Sequence, residues 1–171
     1  KLNLELAMNP LMVDIACRVA PDQVTIVPEN REEVTTEGGL DVVRHKKELA
    51  ATIGKLQDAG IIVSLFIDPE PEQIQTAAAL SVPAVELHTG AYANAAKNSL
   101  EELQLLARAA TFVHQAGLIL NAGHGLTYRN VTPVAELEGM EELNIGHSIV
   151  ARAVFVGMAE AVLEMKNLIR R

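Results

Sequence analysis

A chain of 171 residues suits one compact domain, residues 1–171, and is long enough to bury a sizeable core. A formal net charge of −8 argues against nucleic acid or an anionic membrane as a partner held by bulk charge, and 49% hydrophobic residues with only 3% aromatics and no Trp point to a core of Ala, Val, Leu and Ile under helix-covered parallel strands. The single cysteine, Cys17, allows no intrachain disulfide, and no apolar run approaches the roughly 18 residues needed to span a bilayer, so small-molecule chemistry in the cytoplasm is expected.

Apolar runs and amphipathic stretches alternate along the whole chain. A strand over Leu2 to Leu6 leads to a helix over Pro10 to Val19, and a strand over Val24 to Val27 to a helix over Val42 to Ala59. The pattern repeats with Ile61 to Ile67 and Pro71 to Leu80, then Ala84 to Leu87 and Ser99 to Gln115. Leu118 to Leu120 precedes a helix over Val131 to Leu137, and Leu143 to Ile145 precedes one long helix over Ser148 to Ile169. Gly60 and Gly117 stand where two of these helices end.

Polar residues follow the strands, whereas the helix exits carry Gly, Ala and Gln. Glu5 lies within the first strand, Asp68 follows the third, and His88-Thr89-Gly90 follows the fourth. Asn121-Ala122-Gly123-His124-Gly125 follows the fifth, and Gly146-His147 the sixth. That asymmetry gathers the polar groups at the carboxyl ends of the strands, where both barrels and doubly wound sheets hold their ligands. Phosphate sites in (β/α)8 barrels often use the loops after strands 7 and 8 with a helix N-terminus, so the two Gly-His loops are expected to follow those strands. On that count two βα units are missing, and the start inside a strand pattern without Met leads us to expect truncation at the front.

Val27-Pro28-Glu29 followed by Arg31-Glu32-Glu33-Val34-Thr35-Thr36-Glu37-Gly38-Gly39-Leu40-Asp41-Val42 resembles the signature of pyridoxine 5'-phosphate synthases. Val63 to Asp68, Glu86 to Ala93, Asn121 to Tyr128 and Glu142 to Arg152 resemble the same family in the same order, so the likeness spans the chain. It implies a TIM (β/α)8 barrel with about six of its eight units present here. It also implies condensation of 1-deoxy-D-xylulose 5-phosphate with 3-amino-2-oxopropyl phosphate to pyridoxine 5'-phosphate, phosphate and water, with no metal and no organic cofactor. The partners it implies are small phosphorylated substrates and further copies of the chain in a homo-octamer.

The resemblance makes Glu5 a catalytic carboxylate and His124 a proton donor. It assigns Gly125, Gly146 and His147 to the aminoketone phosphate and Thr35 to the deoxyxylulose phosphate, within a closing segment from Glu29 to Gly39. Without it, Glu5 reads equally as a salt-bridged barrel residue, the glycines as tight turns and 29–39 as a solvated loop. Glu86 and His88, two apart on one strand, share a face and are candidates for the proton traffic. His45 and His114 are expected at the surface, and Lys97, Arg129 and Arg152 are the bases that could meet phosphate. The family's Asn-x-Asp-His and His-Leu-Arg-Glu-Asp segments do not occur here. Two rival readings are therefore a non-catalytic phosphate-binding α/β module and a fragment active only with a separate front segment.

Overall fold

The computed structural model describes residues 1–28, 38–95 and 99–170. Six strands form one sheet in sequence order, each parallel to the next: β1 (Asn3–Leu6), β2 (Gln23–Ile26), β3 (Ile62–Ile67), β4 (Ala84–His88), β5 (Ile119–Gly123) and β6 (Met140–Asn144). Helices α1 (Pro10–Val19), α2 (Lys46–Asp58), α3 (Pro71–Ala79), α4 (Gly90–Asn94), α5 (Ser99–Gln115), α6 (Val131–Ala135), α7 (His147–Val156) and α8 (Met158–Ile169) connect or follow them. Among the described residues no helix is long and apolar enough to cross a membrane.

Alternation along the strands divides the sheet into two faces. Val24, Ile26, Val63, Leu65, Ile67, Val85, Leu87 and Leu120 are fully buried with Leu49 and Leu56 of α2, Ile74 of α3 and Val113 of α5 in one apolar cluster. Each such side chain contributes about 1.5–3 kcal/mol by leaving water. The opposite parity is polar: Thr25 Oγ1 donates to Asn3 Oδ1 at 3.1 Å, and Asn144 Nδ2 donates to Glu86 Oε2 at 2.7 Å. Glu142 of β6 accepts from Lys1 Nζ at 2.7 Å and from Gln23 Nε2 of β2 at 3.5 Å. A last strand that reaches the second requires a sheet curled about its polar face, which makes the architecture an open half-barrel of parallel strands.

Besides the short helix α4, which the sequence expectation lacks, the larger differences from that expectation are these. The helix expected from Val42 begins at Lys46, because Gln73 Oε1 accepts the Val42 N–H at 2.7 Å and Asp41 Oδ1 that of Arg44 at 3.0 Å, holding 42–45 in turns. β5 runs on through Asn121, Ala122 and Gly123 rather than ending at Leu120, since Asn121 and Gly123 belong to the polar inner face. β6 starts at Met140 for the same reason, its Glu142 pointing inward. The single helix expected over 148–169 is two, broken at Gly157, whose φ of 85° and ψ of 156° suit glycine alone.

β5 and β6 also slip by one residue between Leu120 and Asn121, so that Leu120 pairs with Met140 but Asn121 with Glu142 and Gly123 with Asn144. The added residue places Glu142 and Asn144 beside the inner-face residues of β5.

Candidate active site

β4 carries both Glu86 and His88 toward the polar face, paired in register with Asn121 and Gly123 of β5 respectively. Glu86 is 3% exposed. Burial pushes its carboxyl up to about 8, the Asn144 hydrogen bond partly opposing this and the charges of Glu5 and Glu142 adding to it. Room for the carboxyl comes from Gly123, where a Cβ would lie 2.1 Å from Glu86 Oε1 and 3.0 Å from the Asn144 carbonyl. At neutral pH this group is a neutral acid with a proton to give, adjoining the exposed carboxylate of Glu5 on β1.

His88 is 7% exposed, with Nδ1 2.9 Å from Asp68 Oδ1 at the end of β3. Asp68 Oδ1 also accepts the Gly39 N–H at 2.9 Å. Burial alone would raise the Asp68 carboxyl, but the His88 and Gly39 hydrogen bonds outweigh it and hold the group below its ordinary value. An ionised carboxylate only accepts, so His88 Nδ1 carries the proton and, in the neutral ring, Nε2 is a lone pair. That Nε2 is buried without a hydrogen-bond partner among the described residues.

His124 leaves the end of β5 with φ of 81°, in the left-handed region. Thr89 holds the backbone there, its Oγ1 lying 2.7 Å from the Gly123 carbonyl and 2.6 Å from that of His124. The His124 ring stands edge-on to His88, centroids 4.9 Å apart, and Phe66 packs edge-on to His88 at 5.1 Å. The second Gly-His loop follows the neighbouring strand, and Ser148 Oγ donates to the Leu126 carbonyl at 2.8 Å, tying the start of α7 to the loop containing His124 and Gly125. Gly146 caps α7 and His147 is its first residue, both exposed at the positive end of the helix dipole.

The structure therefore assembles Glu86, His88 and His124, with Glu5 close enough for its charge to act on Glu86, and ties the Gly125 loop to Gly146 and His147. Thr35 and Lys97 lie outside the described residues. Arg152 is not available to phosphate: Nε and Nη2 donate to the two carboxylate oxygens of Glu164 at 2.8 and 2.7 Å, joining α7 to α8. His114 is exposed as expected and reaches the Glu138 carbonyl at 2.8 Å. Sequence reading gave no role to Asp68, Gly123 or Asn144. Parity along Ser64-Leu65-Phe66-Ile67-Asp68 was the available signal for Asp68, and the glycine-rich Asn121 to Gly125 stretch that for Gly123; nothing local marks Asn144, whose partner lies on β4.

A curled parallel sheet with acids and imidazoles at the carboxyl ends of its strands defines a β/α-barrel-like enzyme working by acid–base chemistry. Solved structures agree on the fold: the tryptophan synthase A-subunit from Pyrococcus furiosus superposes with a TM-score of 0.59 at 17% identity, covering 97% of this chain and 64% of that one. Citrate synthase SbnG gives 0.55 at 13% identity, over 98% and 72%. Residues 1–171 match the family described as Pyridoxal phosphate biosynthesis protein PdxJ, and the chain belongs to that family. Relatives named pyridoxine 5'-phosphate synthase include proteins of Synechococcus sp. (strain WH7803), 57% identical over 99% of this chain and 69% of that protein, and of Rhodopirellula baltica, 56% identical over 99% and 69%. That of Akkermansia muciniphila is 53% identical over 99% of this chain and 70% of its own length.

Proposed function

We propose that this chain performs the pyridoxine 5'-phosphate synthase reaction, joining 1-deoxy-D-xylulose 5-phosphate and 3-amino-2-oxopropyl phosphate with loss of phosphate and water. The observation that carries the reading is Glu86, a carboxyl kept neutral by burial to about pH 8 beside Glu5 and in the same inner face as His88. Condensing an amine with a ketone forms a C–N bond and expels the carbonyl oxygen as water, which needs a proton delivered to the departing hydroxyl and another removed from nitrogen. In this scheme His124 and the neutral Glu86 donate, while Glu5 accepts protons from carbon in the later eliminations and ring closure. Gly125, Gly146 and His147 hold the aminoketone phosphate at the α7 N-terminus, and Thr35 the deoxyxylulose phosphate.

Incubating the protein as its gene encodes it with both substrates, and following pyridoxine 5'-phosphate and inorganic phosphate together, tests this directly. Equimolar release is expected. Binding of either phosphate ester without product would instead leave a phosphate-binding module, and the enzymatic reading would be abandoned.

The same reading takes the six strands as six of the eight units of one (β/α)8 barrel domain, and the assembly as a homo-octamer. Supporting it are the curl of the sheet and the apolar face of α7, where Val154 and Phe155 are 79% and 84% exposed in the isolated chain.

A further inference from the structure

We propose that Asp68 and His88 form a positioning pair for His124, the carboxylate fixing the tautomer and rotamer of His88 and the His88 ring fixing the attitude of the His124 ring. The inference rests on the reading of His124 as a proton donor and adds two residues that act through it. Three neighbouring strands are linked: Asp68 follows β3, His88 ends β4 and His124 follows β5.

Four observations converge on this arrangement. Asp68 Oδ1 holds two N–H groups at 2.9 Å, that of Gly39 and that of His88, so its own position is fixed from both sides. His88 then keeps a buried Nε2 with no hydrogen-bond partner, which a ring placed only for packing would avoid by turning its nitrogen toward water. The space between the two imidazoles is kept clear of side chains: a Cβ on Gly90 would lie 2.4 Å from His88 Nε2 and 3.2 Å from His124 Cδ2. Phe66 closes the cluster, its ring 5.1 Å from His88 and 6.4 Å from His124.

The backbone supplies the complementary requirement. A histidine at φ 81° is held out of the ordinary regions and needs its surroundings to keep it there. Thr89 secures the carbonyls of Gly123 and His124, which places the Cα but leaves the side-chain torsions to be set by what the ring touches. The edge of His88 is one such contact, and the Phe66 ring is another. A donor displaced by about 1 Å loses on the order of 100-fold in rate, so a neighbour held rigid by a carboxylate hydrogen bond has a use.

The test uses the protein as its gene encodes it, with histidine rings labelled with nitrogen-15. His88 is expected to show the Nδ1–H tautomer, with Nε2 as a lone pair. His88→Asn keeps a donor for Asp68 but removes the ring edge, and should lower kcat about 10- to 100-fold with KM little changed, accompanied by broadening of the His124 ring signals. Asp68→Asn, which retains an acceptor oxygen, should restore most of the activity lost in Asp68→Leu. An Nε2–H tautomer at His88 in the unmodified protein, or a His88→Asn enzyme with kcat within about twofold of normal, overturns the proposal. Should His124→Ala leave kcat intact, the catalytic reading of His124 falls by itself; the ring signals of His124 in Asp68→Leu still decide whether the pair positions it.

Discussion

Glu86 has a folded-state value of about 8 against an ordinary 4.5, so the folded protein binds its proton more tightly than the unfolded chain does. Stability is therefore highest below about pH 4.5 for this group, declines as pH rises through the interval, and reaches its low plateau above 8, a swing of order 3–5 kcal/mol. Glu86→Gln keeps an acceptor for Asn144 and should flatten that slope in urea titrations repeated between pH 5.5 and 9. Its kcat should fall by roughly 100-fold or more, because the amide has no proton to transfer. A variant that retains both the slope and the rate would show that Glu86 is a spectator. Gly123→Ala tests the same carboxyl from the other side: the new methyl meets both Glu86 Oε1 and the Asn144 carbonyl, and a loss of about 1–3 kcal/mol with collapse of activity is expected from denaturation and turnover measurements. The pairing of Glu86 with His88 was legible from their spacing of two. Their pairing with Asp68 and Asn144 was not: parity puts Asp68 on the polar face, but both partners arrive from other strands and a local pattern carries no record of which residues meet.

The elements were legible wherever one face is apolar. Ile62 to Ile67, with a buried apolar residue at every second position, cannot be misplaced by much, and α1, α3 and α5 stand close to where their periodicity sets them. Legibility ends where a strand turns polar: Asn121, Gly123 and Glu142 look like loop, yet all three are in strands because this sheet has a polar interior. Helices α7 and α8 were fused for a related reason, an unbroken amphipathic pattern concealing the one residue, Gly157, whose backbone ends the first. Gly157→Ala should accordingly cost about 1–3 kcal/mol, read as a fall in Tm, with the Arg152 to Glu164 contact loosened. An unchanged Tm would mean that the two helices can merge without strain.

At the scale of the molecule, the exposed face of α7 is the feature least compatible with a chain in isolation. Val150, Val154 and Phe155 present a contiguous apolar strip of the kind that is normally covered. If the strip joins copies of the chain as proposed, Phe155→Glu should lower the mass measured by light scattering; if mass and Tm both stay as they were, the strip is not an interface between copies. The slip between β5 and β6 has a reach beyond its single residue. Without it Gly123 would pair with Leu143, and a leucine would stand where Asn144 now meets the Glu86 carboxyl. The last strand thus has a phase, and past the slip the phase is set by the spacing of Glu142 and Asn144. Deleting Leu143 would change no group assigned to the chemistry, yet it should turn Asn144 to the apolar face, set Ile145 beside Glu86 and abolish turnover, whereas deleting Glu141, the extra residue, should leave Glu142 and Asn144 facing inward. In this protein chain length at one sheet edge is itself a determinant of acidity.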